Sequence, residues 1–216
     1  IGGYSAAKLR RYQDLIDFYL NQNAVINRFY ANPAQGFDNQ PVLDMLNCRY
    51  MVLPQGQIAR RNSACGNAWF VQEVQIVEDA NAEILALNDF NPATTAIVAK
   101  EQAERLNGWT ASTDSTASIE MVHESPFNPS HCLYQTHCKQ ASLAVFSEVH
   151  YAPDWRAYID DKPVEYLRVN YILRALVIPE GDHKVEFRNE APTLHKLDNW
   201  TLVFSILSLL VMAGSL

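Results

Sequence analysis

Aromatic side chains with a polar group are the residues of this chain best suited to hold a sugar. A sugar ring stacks on a flat ring face while neighbouring donors and acceptors bind its hydroxyls. The candidates are Trp69, Tyr151, Trp155, Tyr158 and Tyr166. Trp155 follows Pro153 and Asp154 at a junction between predicted strands, where a side chain reaches solvent more readily, so it is the first candidate for a sugar platform. The alternative is that most of these rings fill the core.

Basic side chains form a second group of candidates, because arginine suits bidentate contact with a carboxylate or a phosphate. The binding candidates of this group are Lys8, Arg11, Arg168 and Arg174. Lys8 and Arg11 stand in the first turns of a predicted helix, where the helix dipole disfavours cations, so we expect a tertiary partner or an anionic ligand to compensate. The hypothesis is that Arg11 and Arg168 hold a lipid-linked pyrophosphate or an acidic envelope polymer. A structural ion pair is the alternative, and Arg174, within an apolar run, is expected in a semi-buried pair.

Two other groupings are weaker indications of chemistry. His131, Cys132, His137 and Cys138 could suggest a zinc site, but on one strand such ligands scatter over both faces, and the two cysteines lie too far apart for a disulfide. The adjacent Asp160 and Asp161 favour a turn over a glycosidase pair. We therefore predict no catalytic residue, no bound metal and no cofactor in this chain.

Composition limits the class of protein. The 216 residues are 48% hydrophobic and 11% aromatic, enough for one large or two small cores. With 17 basic and 24 acidic residues the formal charge is -7, so no overall basic surface can neutralise a phosphate backbone, and nucleic acid is excluded as an expected partner.

The pattern of apolar residues predicts an α+β fold. An amphipathic helix is expected over residues 5–30, and a small α/β layer with strands near 48–53, 68–77 and 94–99 and a helix over 80–87. Residues 55–67 are expected to form a mobile loop. Seven short strands between residues 118 and 188 predict an antiparallel β-sandwich or jelly roll. The predicted units are residues 1–116, 117–191 and 198–216.

The chain ends in an uncharged stretch, residues 200–216. As a helix it would be roughly 25 Å long, a little short of a hydrocarbon core of about 30 Å. Trp200 stands where an interfacial aromatic anchors a spanning helix. We expect the start of a transmembrane helix, and a chain that is a fragment of a longer membrane protein; a buried terminal helix is the alternative.

Several blocks of the sequence, taken in order, resemble the C-terminal region of YfhO-like bacterial membrane proteins. The blocks are GYSAAKLRRYQ (3–13), LNCRY (46–50), GNAWFV (66–71), AVFSEVHY (144–151), WRAYID (155–160), RVNYILR (168–174) and IPEGDHK (178–184). Cys48, in place of a short aliphatic residue, and the basic loop that ends at Cys65 depart from the expected pattern. The family is similar to polytopic glycosyltransferases that take sugar from a polyprenyl-phosphate lipid.

The resemblance implies a domain on the extracytoplasmic side of the bacterial cytoplasmic membrane, followed by a final spanning helix. The expected partners are the lipid bilayer and, further, an envelope glycan or a polyprenyl-phosphate sugar. In such enzymes the transfer chemistry belongs to a membrane-proximal loop of the N-terminal part, so no catalytic residue is carried over. The preferred interpretation is that the chain is an accessory domain of a membrane glycosyltransferase. The alternatives are a non-catalytic carbohydrate-binding module and an envelope-assembly module.

Overall fold

A computed structural model describes residues 9–31, 36–53, 56–123, 126, 128–191, 200–208 and 211. The fold is mixed α+β, as the sequence predicts, and its sheets are mostly antiparallel. The helices in the described part are α1 (Arg10–Leu15), a π-helical turn (Ile16–Leu20), α2 (Gln22–Ala31), α3 (Pro41–Met45), α4 (Ala80–Ala86) and a 3₁₀-helix (Lys100–Leu106), with residues 200–208 helical as well.

The N-terminal helical region is interrupted, although a single helix was expected over residues 5–30. Asn21 is extended, with ψ 150°, and its side-chain oxygen accepts from the backbone N–H of Ala24, so it caps the start of α2. The region packs on the rest of the chain through Leu15 and Tyr19, and the Tyr19 hydroxyl donates to the Ile84 carbonyl over 2.7 Å. The predicted start at residue 5 lies outside the described residues.

A small α/β unit follows. Strand β4 (Glu73–Val77) pairs in parallel with β5 (Thr95–Ala99), and α4 connects them, so the predicted helix between two apolar runs is confirmed. The strand expected over residues 68–77 is divided into two strands that lie in different sheets. Asp79 caps α4 by accepting from the Ala82 N–H over 2.8 Å. Four of the five residues of β5 are buried, which is typical of a strand covered on both faces.

Two larger antiparallel sheets contain most of the remaining strands. The five-stranded sheet has the order β10 (Lys162–Val164), β9 (Trp155–Ile159), β13 (Gly181–Asn189), β7 (His131–Cys138) and β6 (Ser118–Val122). The four-stranded sheet has the order β11 (Leu167–Val169), β12 (Leu173–Ile178), β8 (Ser142–Val149) and β3 (Ala68–Val71). A separate hairpin joins β1 (Tyr50–Val52) to β2 (Ile58–Arg60).

The two sheets pack face to face. Tyr134, Val185 and Phe187 of the five-stranded sheet share one buried cluster with Phe146 and Ile178 of the four-stranded sheet. The alternate residues of β8 and β12, such as Leu143 and Leu173, belong to a second cluster on the opposite face, with α4, β5 and the N-terminal helices. The four-stranded sheet is therefore covered on both faces, which explains why β8 is buried without alternation.

Two connections test the predicted hairpins. Asp160 and Asp161 both have positive φ and join β9 to β10 in a tight hairpin, as expected. The connector at 179–182 was expected to be a hairpin as well, and that expectation is wrong: β12 and β13 lie in different sheets. The chain crosses there from one layer to the other because both strands direct apolar side chains between the sheets.

The predicted boundary near residue 117 stays a prediction, but one strand from before it joins a sheet from after it. β3 pairs antiparallel with β8, with Trp69 opposite Val145. The expected mobile loop over 55–67 is wrong in its middle, where β2 forms and Arg61 is buried. Both features depend on pairings that sequence periodicity does not report.

The helical residues 200–208 expose apolar side chains on every side, including Trp200, Leu202, Phe204 and Ile206. No helix within the described residues is both long enough and apolar enough to span a bilayer. The neighbouring residues 192–199, 209–210 and 212–216 lie outside the described part, so the expected transmembrane start stays a prediction.

Candidate functional site

A groove lies where the two large sheets part at their edges. Among the strands of the described residues, β10 pairs with β9 alone and is therefore an edge strand, and Pro163 has no backbone N–H to offer a further partner. β11 is the corresponding edge of the other sheet, and the 3₁₀-helix packs beside it, where the Gln102 side-chain oxygen accepts from the Arg168 N–H. We call the cleft between these elements the edge groove.

The edge groove consists of two adjoining cavities. The larger, of about 710 Å³, is lined by Glu101, Glu104, Arg105, Asn107, Ile159, Val164, Glu165, Leu176, Val177 and Pro179. The smaller, of about 220 Å³, is lined by Arg105, Ala152, Trp155, Arg156, Ala157, Val164, Glu165 and Tyr166. Arg105 and Glu165 belong to both and approach to 3.4 Å at the place where the cavities meet. The groove thus combines an apolar floor with carboxylate, guanidinium and amide groups.

Trp155 lies in the wall of the smaller cavity and is half-buried. The guanidinium carbon of Arg174 lies 4.1 Å from its ring centroid, so the cation covers one ring face. The backbone N–H of Trp155 donates to the Tyr151 carbonyl over 3.2 Å, and Arg156 Nη1 donates to the backbone carbonyl of Trp155 over 2.9 Å. These bonds fix the main chain at Trp155, and the stacked Arg174 guanidinium is the contact that bears on the ring itself.

Arg174 is buried at 3% exposure, as its apolar neighbours in sequence suggested. Its Nε donates to the Val149 carbonyl over 3.0 Å, and its Nη1 has no hydrogen-bond partner among the described residues. Burial lowers its pKa, although the nearby Glu148 carboxylate acts in the opposite direction. We expected Arg174 in a semi-buried pair. Its guanidinium instead stacks on the Trp155 ring, and the guanidinium carbon also lies 5.1 Å from the centroid of the Phe187 ring.

The inner faces of the sheets are polar at the end near Trp155. Glu148 accepts a hydrogen bond from the Tyr134 hydroxyl over 2.9 Å, and burial raises the pKa of both groups. The His150 ring lies 4.9 Å from the Tyr166 ring. Burial, followed by the Arg168 and Arg174 charges, lowers the pKa of His150 to about 4, so the imidazole is neutral at neutral pH.

Arg11 and Arg168 converge, but on carboxylates of the chain itself. Arg11 Nη1 lies 3.0 Å from Glu83 and Arg168 Nη2 lies 2.5 Å from Glu101, while Arg11 also approaches Glu101 at 3.7 Å. Burial raises the pKa of the fully buried Glu83, opposed by both arginines. The structure thus favours the structural ion pair over the hypothesis that these two arginines hold an external anion. Lys8 lies outside the described residues.

The aromatic candidates separate into different environments. Trp69 is 9% exposed, and its indole N–H donates to the Pro92 carbonyl over 2.7 Å, so its ring belongs to the core and does not offer a free face. Tyr158 lies under the Arg188 guanidinium, away from the groove-lining residues. Tyr151 is 37% exposed next to Trp155, and Tyr166 lines the smaller cavity. Of the aromatic candidates, Trp155, Tyr151 and Tyr166 therefore lie near one another, whereas Trp69 and Tyr158 lie elsewhere.

Sequence reasoning missed the polar lining of the edge groove and the most extensively bonded arginine. Arg105 and Glu165 are separated by sixty positions, and no motif relates them. Arg61 donates to the carbonyls of Phe37 and Cys48 over 2.7 and 2.6 Å and pairs with Asp44. Its position in a polar, Gly-containing segment predicted a loop, and the pattern contained no indication of burial.

The residues of the proposed zinc alternative lie on one strand, β7. His131 contacts Glu186 at 2.7 Å and His137 contacts Asp182 at 2.8 Å, so these two rings pair with carboxylates of β13. Within the described residues, no three His, Cys, Asp or Glu side chains are grouped so that they could hold a metal ion.

Comparison of the chain with family models, curated proteins and solved structures finds no match. The observations that bear on function are therefore the composition and geometry of the edge groove. Its flat indole, bordered by hydrogen-bonding side chains, can bind a polar ligand that has an apolar face.

Proposed function

We propose that this chain is a carbohydrate-binding accessory domain of a membrane-attached, glycosyltransferase-like protein that acts on cell-envelope polymers. The observation that carries the proposal is the placement of Trp155, with one ring face against Arg174 and the ring in the wall of a cavity. A pyranose presents C–H groups to an aromatic face and hydroxyls at its rim, which is the pattern that this wall complements.

The polar groups around Trp155 suit sugar hydroxyls. Glu165 accepts hydrogen bonds, while Arg105 and Arg156 donate them, and the larger cavity adds the Asn107 amide. A volume of about 710 Å³ lies within the range of about 300–1,000 Å³ usual for ligand sites. The groove is open between two sheet edges, which suits a chain of sugars better than a single small metabolite.

Attachment to a membrane is the second part of the proposal. The helical residues 200–208 contain no charge and expose apolar side chains all round, and such a helix is expected either in a buried core or in lipid. The resemblance to YfhO-like proteins agrees with a domain on the extracytoplasmic side, with the transfer chemistry elsewhere in the parent protein. We also interpret the face-to-face sheets as a jelly-roll-like sandwich, since the chain crosses between them four times after β7.

The test is binding of oligosaccharide fragments of peptidoglycan and of teichoic acid, measured by calorimetry on the whole chain. Trp155→Leu removes the flat face and keeps an apolar side chain, so we expect about tenfold weaker binding. Glu165→Gln keeps the shape and removes the charge, and should also weaken binding. Trp200→Leu is the matched control, because Trp200 is an exposed indole that does not line the groove.

Thermal unfolding of each variant separates loss of binding from loss of fold. Equal affinity of wild type and the folded Trp155→Leu variant would remove the groove from the proposal. Absence of oligosaccharide binding by the wild type, together with a stably co-purifying envelope protein, would instead select the envelope-assembly role.

A further inference from the structure

The hairpin formed by β1 and β2 has an exposed face that neither large sheet covers. We call it the basic hairpin. Its register pairs Tyr50 with Arg60 and Val52 with Ile58, and since side chains alternate along a strand, these four share one face. Tyr50, Val52 and Ile58 are 61, 78 and 69% exposed. The opposite face carries the half-buried Met51 and Ala59, so the hairpin turns its larger apolar side chains outward.

The base of the basic hairpin is firmly held. The Arg61 N–H donates to the Arg49 carbonyl over 2.8 Å, directly beyond the last strand pair. The Arg61 guanidinium is buried, pairs with Asp44 and donates to the carbonyls of Phe37 and Cys48. The exposed face is therefore presented on a fixed support, and no apolar element of the described chain lies over it.

The charge around the basic hairpin differs in sign from the charge of the whole chain. Residues 45–72 contain three arginines, Arg49, Arg60 and Arg61, and no acidic residue, whereas the chain has 24 acidic and 17 basic residues. Asp44 balances Arg61, but Arg49 and Arg60 are exposed. All three line a cavity of about 190 Å³ together with Tyr50, Asn62 and Ala64, a polar recess at the side of the apolar face.

We propose that the basic hairpin docks on a bilayer surface that contains anionic phospholipid. Val52 and Ile58, next to the turn, would enter the boundary between headgroups and acyl chains. Tyr50, two pairs further back, would lie at the depth where tyrosine is enriched at membrane interfaces. Arg49 and Arg60 then meet the lipid phosphates, which attract exposed cations. The apolar pair of Val52 and Ile58 would therefore lie deepest, and Tyr50 with its cross-strand partner Arg60 would lie nearer the headgroups, in agreement with the layers of a bilayer.

Docking of the basic hairpin is independent of sugar binding in the edge groove and of the apolar residues 200–208. If residues 200–208 also enter the bilayer, the two contacts together would set the orientation of the domain, because a single tether leaves a body free to rotate. A failure of the carbohydrate proposal would leave this inference unaffected, since none of the hairpin residues lines the groove.

The test uses the whole chain with vesicles of phosphatidylcholine alone or of phosphatidylcholine mixed in equal parts with phosphatidylglycerol. Hydrogen exchange localises the contact. We expect slower exchange at the amides of 50–52 and 58–60 on the anionic vesicles only, with the slowing lost in high salt. Arg49→Gln combined with Arg60→Gln should weaken the hairpin contact about 30-fold. Val52→Ser combined with Ile58→Ser should abolish the protection.

Two matched controls remove equal charge or equal apolar surface elsewhere. Lys139→Gln with Lys162→Gln, and Ile76→Ser with Leu85→Ser, replace exposed side chains and should leave the hairpin protection unchanged. Protection restricted to residues 200–208 would overturn the inference while supporting the tether. If the hairpin amides become protected without vesicles as the protein concentration rises, the partner of the hairpin is a second copy of the chain and not lipid. If the hairpin amides are equally protected on both vesicle types, the arginines do not contribute to docking, and the proposed anionic lipid is wrong.

Discussion

The low pKa of His150 predicts a specific loss of stability in weak acid. His150 lies at the polar end between the sheets, its ring near Tyr166, and burial together with Arg168 and Arg174 lowers its pKa from 6.5 to about 4. The folded protein therefore keeps this imidazole neutral at a pH at which the unfolded chain protonates it. In that interval the unfolded state binds more protons, so acidification favours unfolding.

The size of the effect follows from the two pKa values. The contribution of His150 is fully present above pH 6.5 and is lost progressively as pH falls toward about 4. Between pH 7 and pH 5 the loss amounts to about 2 kcal/mol. Glu148, whose pKa is raised by burial, acts in the opposite direction because its folded form binds its proton more readily. A comparison with a His150 variant isolates the histidine from such terms.

The assay is urea unfolding of wild type and His150→Gln at pH 7 and pH 5. Glutamine stays polar and does not titrate, so the stability difference, wild type minus variant, should fall by about 2 kcal/mol on acidification. His183→Gln is a control of opposite sign, because the Asp160 carboxylate raises the pKa of His183 and its contribution is lost as pH rises. If the His150 difference is the same at both pH values, the argument for a neutral, half-buried imidazole is refuted.

Two further substitutions measure the buried ion pairs. Glu83→Gln leaves Arg11 and Arg168 without their shared buried charge, so it should reduce the free energy of unfolding by about 3 kcal/mol. Glu78→Gln, in an exposed ion pair, should change that free energy by less than about 1 kcal/mol. Similar values for the two variants in denaturant unfolding would contradict the burial of Glu83. In Arg61→Lys, the ammonium group cannot make all the contacts of the planar guanidinium, so the free energy of unfolding should fall by about 3 kcal/mol. Arg60→Lys, at the neighbouring exposed position, should change that free energy little. Equal thermal stabilities of the two variants would show that Arg61 does not hold the base of the hairpin as described.

Local pattern predicted several elements because their causes are local. The alternation of Val185 and Phe187 with charged neighbours identified β13, and it fixed which residues face the other sheet. The adjacent aspartates at 160 and 161 predicted a turn, and both have the positive φ that a tight hairpin requires. The β4–α4–β5 unit was likewise visible as a helix between two apolar runs.

Features that depend on distant partners were predicted poorly. Trp69 was a candidate sugar platform because the sequence does not distinguish an exposed indole from a buried one. Its burial depends on pairing with β8, which lies more than seventy residues later in the chain. Arg11 and Arg168 looked like anion ligands, and they do bind anions, but the anions are Glu83 and Glu101 of the same chain. A charged side chain that becomes buried requires a partner of opposite charge, but the sequence does not indicate which residue or ligand supplies it.

The sequence by itself determined the apolar face of β13, the turn at residues 160 and 161 and the uncharged final stretch, because periodicity and hydrophobicity act between neighbours in the chain. Only the tertiary structure decided that β12 and β13 part into different sheets, that Arg174 lies against Trp155, and that Arg105 meets Glu165 at the edge groove. These arrangements depend on which faces bury each other, and burial is a property of the packed chain as a whole.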